Sequence, residues 1–101
     1  MTPEDIEWGG GEVVYWALER VDPSVALVDQ LGELKEDLAQ VRFARETLLD
    51  VGWYPEFSAT GSFAVTVVRS GDWDEPVFTE EAVTVAALLG AIERAIASAS
   101  S

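Results

Sequence analysis

Carboxylates dominate the chemistry open to this chain. Nineteen Asp and Glu stand against six Lys and Arg, with neither His nor Cys, and the formal net charge is −13. The missing thiol and imidazole exclude a Cys nucleophile, Cys- or His-ligated metal sites and an imidazole general base near neutral pH. What remains is carboxylate work: holding a hard cation, paired-acid hydrolysis, or attracting a basic surface. The densest stretch is Gly71-Asp72-Trp73-Asp74-Glu75-Pro76. Its three acids are oxygen donors of the kind Ca²⁺ or Mg²⁺ takes around a tight turn. Their spacing departs from the EF-hand loop, and Gly, Asp and Pro also set turn dihedrals with no ligand present. Paired carboxylates hydrolyse glycosidic bonds when one is held protonated in a cleft, but nothing in the sequence sets two acids in an apolar pocket. No metal, no cofactor and no enzymatic activity are expected.

Attraction of a basic surface is the better use of these groups. Residues 70–81 hold Asp72, Asp74, Glu75, Glu80 and Glu81 with no base, and residues 1–12 hold Glu4, Asp5, Glu7 and Glu12, again with none. Trp73, and with it Trp8, supplies an aromatic anchor of the kind that interfaces favour. A third set, Asp29, Glu33, Glu36 and Asp37, surrounds Lys35. On a helix, carboxylates one turn apart sit about 5–6 Å from each other, so such a face imitates a stretch of phosphate backbone. A real nucleic acid would be repelled by this charge, as would an anionic membrane.

These groups need elements to hold them. Residues 1–11, acidic and ending in Gly9-Gly10-Gly11, read as a flexible arm. In residues 12–21, Val14, Ala17, Leu18 and Val21 share a helical face, with a buried strand as the alternative. Asp22-Pro23 forms an N-cap and first-turn proline that start a second helix. From Ser24 to Val51 the residues Leu27, Leu31, Leu34, Leu38, Val41, Arg45 and Leu48 follow at spacings of four and three, six of them apolar, and Gly52 offers a stop. Unbroken, that helix would run roughly 43 Å, beyond the about 33 Å diameter of a domain this size. It therefore bends near Gly32, or it overhangs and pairs with a second copy through the stripe.

After Gly52 the period falls to two. Trp53 to Ala59 and Phe63 to Val67 predict a hairpin turned at Thr60-Gly61, and Pro76 to Glu80 predicts a short third strand, reaching to Val83 at most. Thr84 caps a last helix bearing Val85, Leu88, Leu89, Ile92 and Ile96 on one face. Residues 98–101 form a frayed tail. The expected fold is α+β, a single domain over residues 12–97 in the order α-α-β-β-β-α, with a three-stranded antiparallel sheet covered by helices.

From about residue 33 onward, this order of helix, three strands and helix is similar to the double-stranded RNA-binding domain. That resemblance, one of topology, implies a basic patch of lysines at the start of the last helix. The matching stretch TEEAVTVAALLGAI holds two glutamates and no lysine, so the activity does not carry over.

The expected function is that of a non-enzymatic acidic binding module. It docks on a basic partner protein and blocks it, as antitoxins, immunity proteins and phage inhibitors of host defence do, with nucleic-acid mimicry as one route. The alternative is an assembly module that homodimerises through Leu27, Leu31, Leu34, Leu38, Val41 and Leu48. An acidic N-terminus and the lack of an apolar run of about 18 residues point to a cytoplasmic setting.

Overall fold

In Ala39-Gln40-Val41-Arg42-Phe43 apolar and polar side chains alternate strictly, the signature of a strand with one buried face. In the computed structural model, which describes residues 1–101, that segment is β2 of a five-stranded antiparallel sheet in the order β1-β2-β3-β4-β5. The strands are β1 (Glu12–Trp16), β2 (Ala39–Phe43), β3 (Thr47–Tyr54), β4 (Ser62–Arg69) and β5 (Phe78–Ala82), and one helix, α1 (Val85–Ala99), follows. The expected three-stranded sheet with three helices is thus overturned: two further strands and short 3₁₀ turns occupy residues 12–51. With no α-helix before the sheet, the topological likeness to the double-stranded RNA-binding domain falls as well.

The physical reasons are local. In β1 the register shifts between Val13 and Tyr15, so Val14 is an extra residue and the period-two pattern of a strand is lost. The β2–β3 turn is closed by Arg45 at φ 63° and Glu46 at φ 54°. Left-handed backbone costs non-glycine residues about 1–2 kcal/mol, and Ala-Arg-Glu carries none of the Asn-Gly chemistry that announces a hairpin. Asp22 does act as a cap, accepting from Ser24 N at 2.9 Å and Ser24 Oγ at 2.6 Å, but only one turn results. Gln30 pins that turn, accepting from Asp22 N at 2.8 Å and donating to the Asp22 and Val25 carbonyls at 2.8 and 3.0 Å.

The six apolar positions of the heptad-like stripe consequently share no helix face. Leu27 and Leu31 lie on 3₁₀ turns, Leu34 and Leu38 in the chain entering β2, Val41 in β2 and Leu48 in β3. Leu34, Leu38 and Val41 are fully buried. They are core, and no exposed seam exists along them.

The expectations for the C-terminal half fare better. The strand expected at Phe63–Val67 lies within β4, but the one expected at Trp53–Ala59 does not form: β3 ends at Tyr54, and residues 55–61, opening with a cis Tyr54–Pro55 bond, are the connection. Thr84 Oγ1 accepts from Ala87 N at 3.0 Å, capping α1. Leu88, Ala91, Ile92 and Ala95 of α1 pack on Leu49, Val51, Trp53, Phe63, Val65 and Val67 of the sheet, and Leu18, Val21, Leu34 and Leu38 complete the same core. Trp53 and Phe63, partners in register, meet edge to face at 4.9 Å. At the N-terminus Trp8 donates Nε1 to the Pro3 carbonyl at 2.9 Å and meets Trp16 edge to face at 5.8 Å. Trp8 is half-buried against the core. No helix is long and apolar enough to cross a membrane.

Candidate functional site

α1 covers one face of the sheet, so alternation along the strands delivers a second set of side chains to the other, outer face. Register places Tyr15, Gln40, Asp50, Thr66 and Thr79 directly opposite one another, one from each of the five strands. A polar row therefore crosses the whole sheet. On one side of it lie Glu12, Arg42, Leu48 and Val68, and on the other Gly52, Ala64 and Glu81.

The centre of the row is a buried carboxylate. Asp50 is 7% exposed, and its one side-chain hydrogen bond is from Gln40 Nε2 to Oδ1 at 3.2 Å. Burial pushes its carboxyl above the ordinary range, the Gln40 bond opposes this, and the nearby Asp37 charge raises it further. No basic side chain pairs with it.

Glu36 and Asp37 reach this face because residues 34–38 run alongside β3. Trp53 N donates to the Lys35 carbonyl at 2.8 Å and Leu38 N to the Val51 carbonyl at 2.9 Å. Between these bonds the Glu36 carbonyl passes over Gly52, where a Cβ would sit 2.0 Å from it. Gly52 is thus not a helix stop; it makes room for the acidic segment to cross. Tyr54 reinforces the crossing, its hydroxyl donating to the Glu36 carbonyl at 3.3 Å. Partial burial raises the phenol's pKa, and the charges of Asp50, Glu36 and Asp37 raise it further. Tyr15, Asp37 and Gln40 line a cavity of about 290 Å³. Tyr15 and Tyr54 remain 45% and 42% exposed.

The residues singled out in the sequence are dispersed. Asp72, Trp73, Asp74 and Glu75 form an exposed turn at one end of the sheet, with Ser70 and Gly71 in left-handed backbone. Ser70 N and Oγ tie it to the neighbouring hairpin turn, donating to the Glu46 carbonyl at 2.9 Å and Glu46 Oε2 at 3.1 Å. Trp73 is 51% exposed. Adjacent strand positions send Glu80 and Glu81 to opposite faces. Glu80 pairs with Arg94 of α1, whose hydrogen bond holds the Glu80 carboxyl below its ordinary value. Glu81 stays exposed on the outer face. Asp29 and Glu33 lie on separate 3₁₀ turns. Only Glu36, Asp37 and Glu81 of that set belong to the outer face.

Tyr15, Gln40, Asp50 and Tyr54 escaped the sequence reading. The signal that would have found Gln40 is the alternation of β2, and the signal for Asp50 is a lone acid inside Leu48-Leu49-Asp50-Val51. No group of three or more acidic side chains is arranged to hold a metal ion. The face offers instead concentrated negative charge around tyrosine rings, which suits a cationic or hydrogen-bond-donating surface. A larger concavity of about 480 Å³ at the start of α1, lined by Val25, Val28, Val83 and Val85 among others, carries no charged group. No protein-family model, curated protein or solved structure matches the chain.

Proposed function

We propose that this protein is a non-enzymatic acidic binding module that docks on a basic partner protein and blocks it, acting in the cytoplasm. The observation that supports this is the lack of internal neutralisation: of nineteen acidic side chains, only Glu12 and Glu80 form ion pairs with a base. A chain that keeps so many carboxylates unpaired in so small a fold carries a field that speeds encounter with a positive surface. Where that surface normally binds nucleic acid, the module competes by presenting charge in place of phosphates. Self-association through a long helix has no such helix to use.

The test is capture of partners from the native cell extract at low salt, followed by assay of the captured protein. The expected partner has a pI above about 9 and loses activity in proportion to added module. Its affinity should fall at least about tenfold between ~50 and ~500 mM salt. Tight binding indifferent to salt, or a partner that is not basic, would overturn the reading.

A further inference from the structure

We infer that the outer face of the sheet is the docking surface, and that the cleft between Tyr15, Asp37 and Gln40 receives an arginine side chain of the partner. This rests on the reading above and specifies where and how contact is made.

Charge complementarity selects this face over the exposed turn. Asp37 and Asp50 flank the cleft through Gln40, with Glu36 and Glu81 beyond them, and the row from Tyr15 to Thr79 contains no base. Arg42, on the neighbouring row, is already paired with Glu12 at 3.4 Å. The acids at 72, 74 and 75 are exposed, as are Glu36, Asp37 and Glu81, and are screened by water and salt; what sets the outer face apart is the buried Asp50 at its centre.

The second observation is Asp50 itself. A carboxylate more than nine-tenths buried normally meets a cation or several donors. Here Oδ1 accepts from Gln40, and Oδ2 has no hydrogen-bond partner yet is not sealed from solvent. Gln40 is both its donor and a wall of the cleft. A cation entering beside Gln40 would supply the missing charge.

Arginine fits the walls better than lysine. Its planar guanidinium offers five donors in a fork and stacks on an aromatic ring, and it is more weakly hydrated than an ammonium. Tyr15 provides the ring and Asp37 an exposed carboxylate, with the Asp50 carboxylate behind Gln40. Small side chains at Ala64, Thr66 and Thr79 leave the rest of the face low enough for a protein surface to approach.

The experiment is an amide-resolved NMR titration with hepta-arginine and hepta-lysine peptides at about 20 mM salt. It compares the wild type with Asp37→Asn, Asp50→Asn, Tyr15→Ala and the triple variant Asp72→Asn/Asp74→Asn/Glu75→Gln. The spectra themselves report that each variant is folded. Shifts should centre on Tyr15, Asp37, Gln40, Asp50 and Thr66, with hepta-arginine the tighter ligand. Each single substitution should weaken it about fivefold or more, and the triple variant less than about twofold. If the triple variant loses most of the binding while the single ones keep it, the outer face is refuted and the basic-partner reading stands. Equal affinity for both peptides refutes the arginine cleft. No binding of either peptide overturns the inference and the proposed function together.

Discussion

Along β3 the side chains of Leu49, Val51 and Trp53 enter the core, whereas those of Leu48, Asp50 and Tyr54 take the alternate positions on the outer face. One strand thus serves two surfaces with opposite requirements. The inner side is apolar and filled by α1, so its contribution is volume and area removed from water. The outer side keeps a buried carboxylate with no counter-charge, an arrangement that costs stability. What the difference teaches is that the inner face is built to hold the fold together, and that the outer face holds charge where a more stable sheet would hold none.

Emptying the inner face should give the largest effect. Phe63 is fully buried against Trp53, and Phe63→Ala is expected to cost about 3–5 kcal/mol, read from urea unfolding. A loss under about 1 kcal/mol would mean that this face is not the core. On the outer face the comparable break is steric. Gly52→Ala drives a Cβ into the Glu36 carbonyl and the Tyr54 ring, and should cost about 2–3 kcal/mol while loosening the 34–38 segment in hydrogen exchange.

Thr84→Ala removes the acceptor for Ala87 N and should cost about 1 kcal/mol, a modest effect because the packing of α1 on the inner face remains.

Asp50→Asn sharpens the contrast because its sign is reversed. The folded-state pKa of Asp50 is raised by burial, opposed by the Gln40 bond and raised further by Asp37, with Tyr54 also near. A carboxyl of this kind leaves stability fully present below its unfolded pKa, and stability falls as pH rises through the folded pKa. The variant should therefore melt higher than the wild type at pH 7, and the gap should close towards pH 3. A variant melting lower at pH 7 would show that ionised Asp50 is stabilised by something other than Gln40. The smallest effect is expected from Glu80→Gln, whose partner Arg94 is exposed, as isolated surface pairs contribute little. Melting temperatures should barely differ, and a clear drop would show the pair clamping α1 to β5.

Two segments show how far the sequence could be read. Residues 84–99 carry a cap, helix-forming residues and an apolar stripe that all agree, and the helix forms there. Residues 23–51 carry an apolar spacing just as regular, yet it belongs to two 3₁₀ turns, an extended entry and two strands. The misreading arose because β3 is bulky on both sides at Leu48 and Leu49, which hides alternation, and because Ala44-Arg45-Glu46 turns the chain without turn-forming residues. The five-residue row was illegible for a different reason: its members lie in five separate segments, and only pairing brings them together.

The sequence by itself determined the charge, the exclusion of thiol and imidazole chemistry, the capped C-terminal helix and the strand after residue 60, because composition and local backbone preference act within a few residues. Tertiary structure decided that residues 12–16, 39–43 and 47–51 join the sheet, that Glu80 is neutralised while Glu81 is not, and that Asp50 is buried beside Gln40. Those outcomes depend on register and on which face α1 covers, quantities set by contacts between residues far apart in the chain.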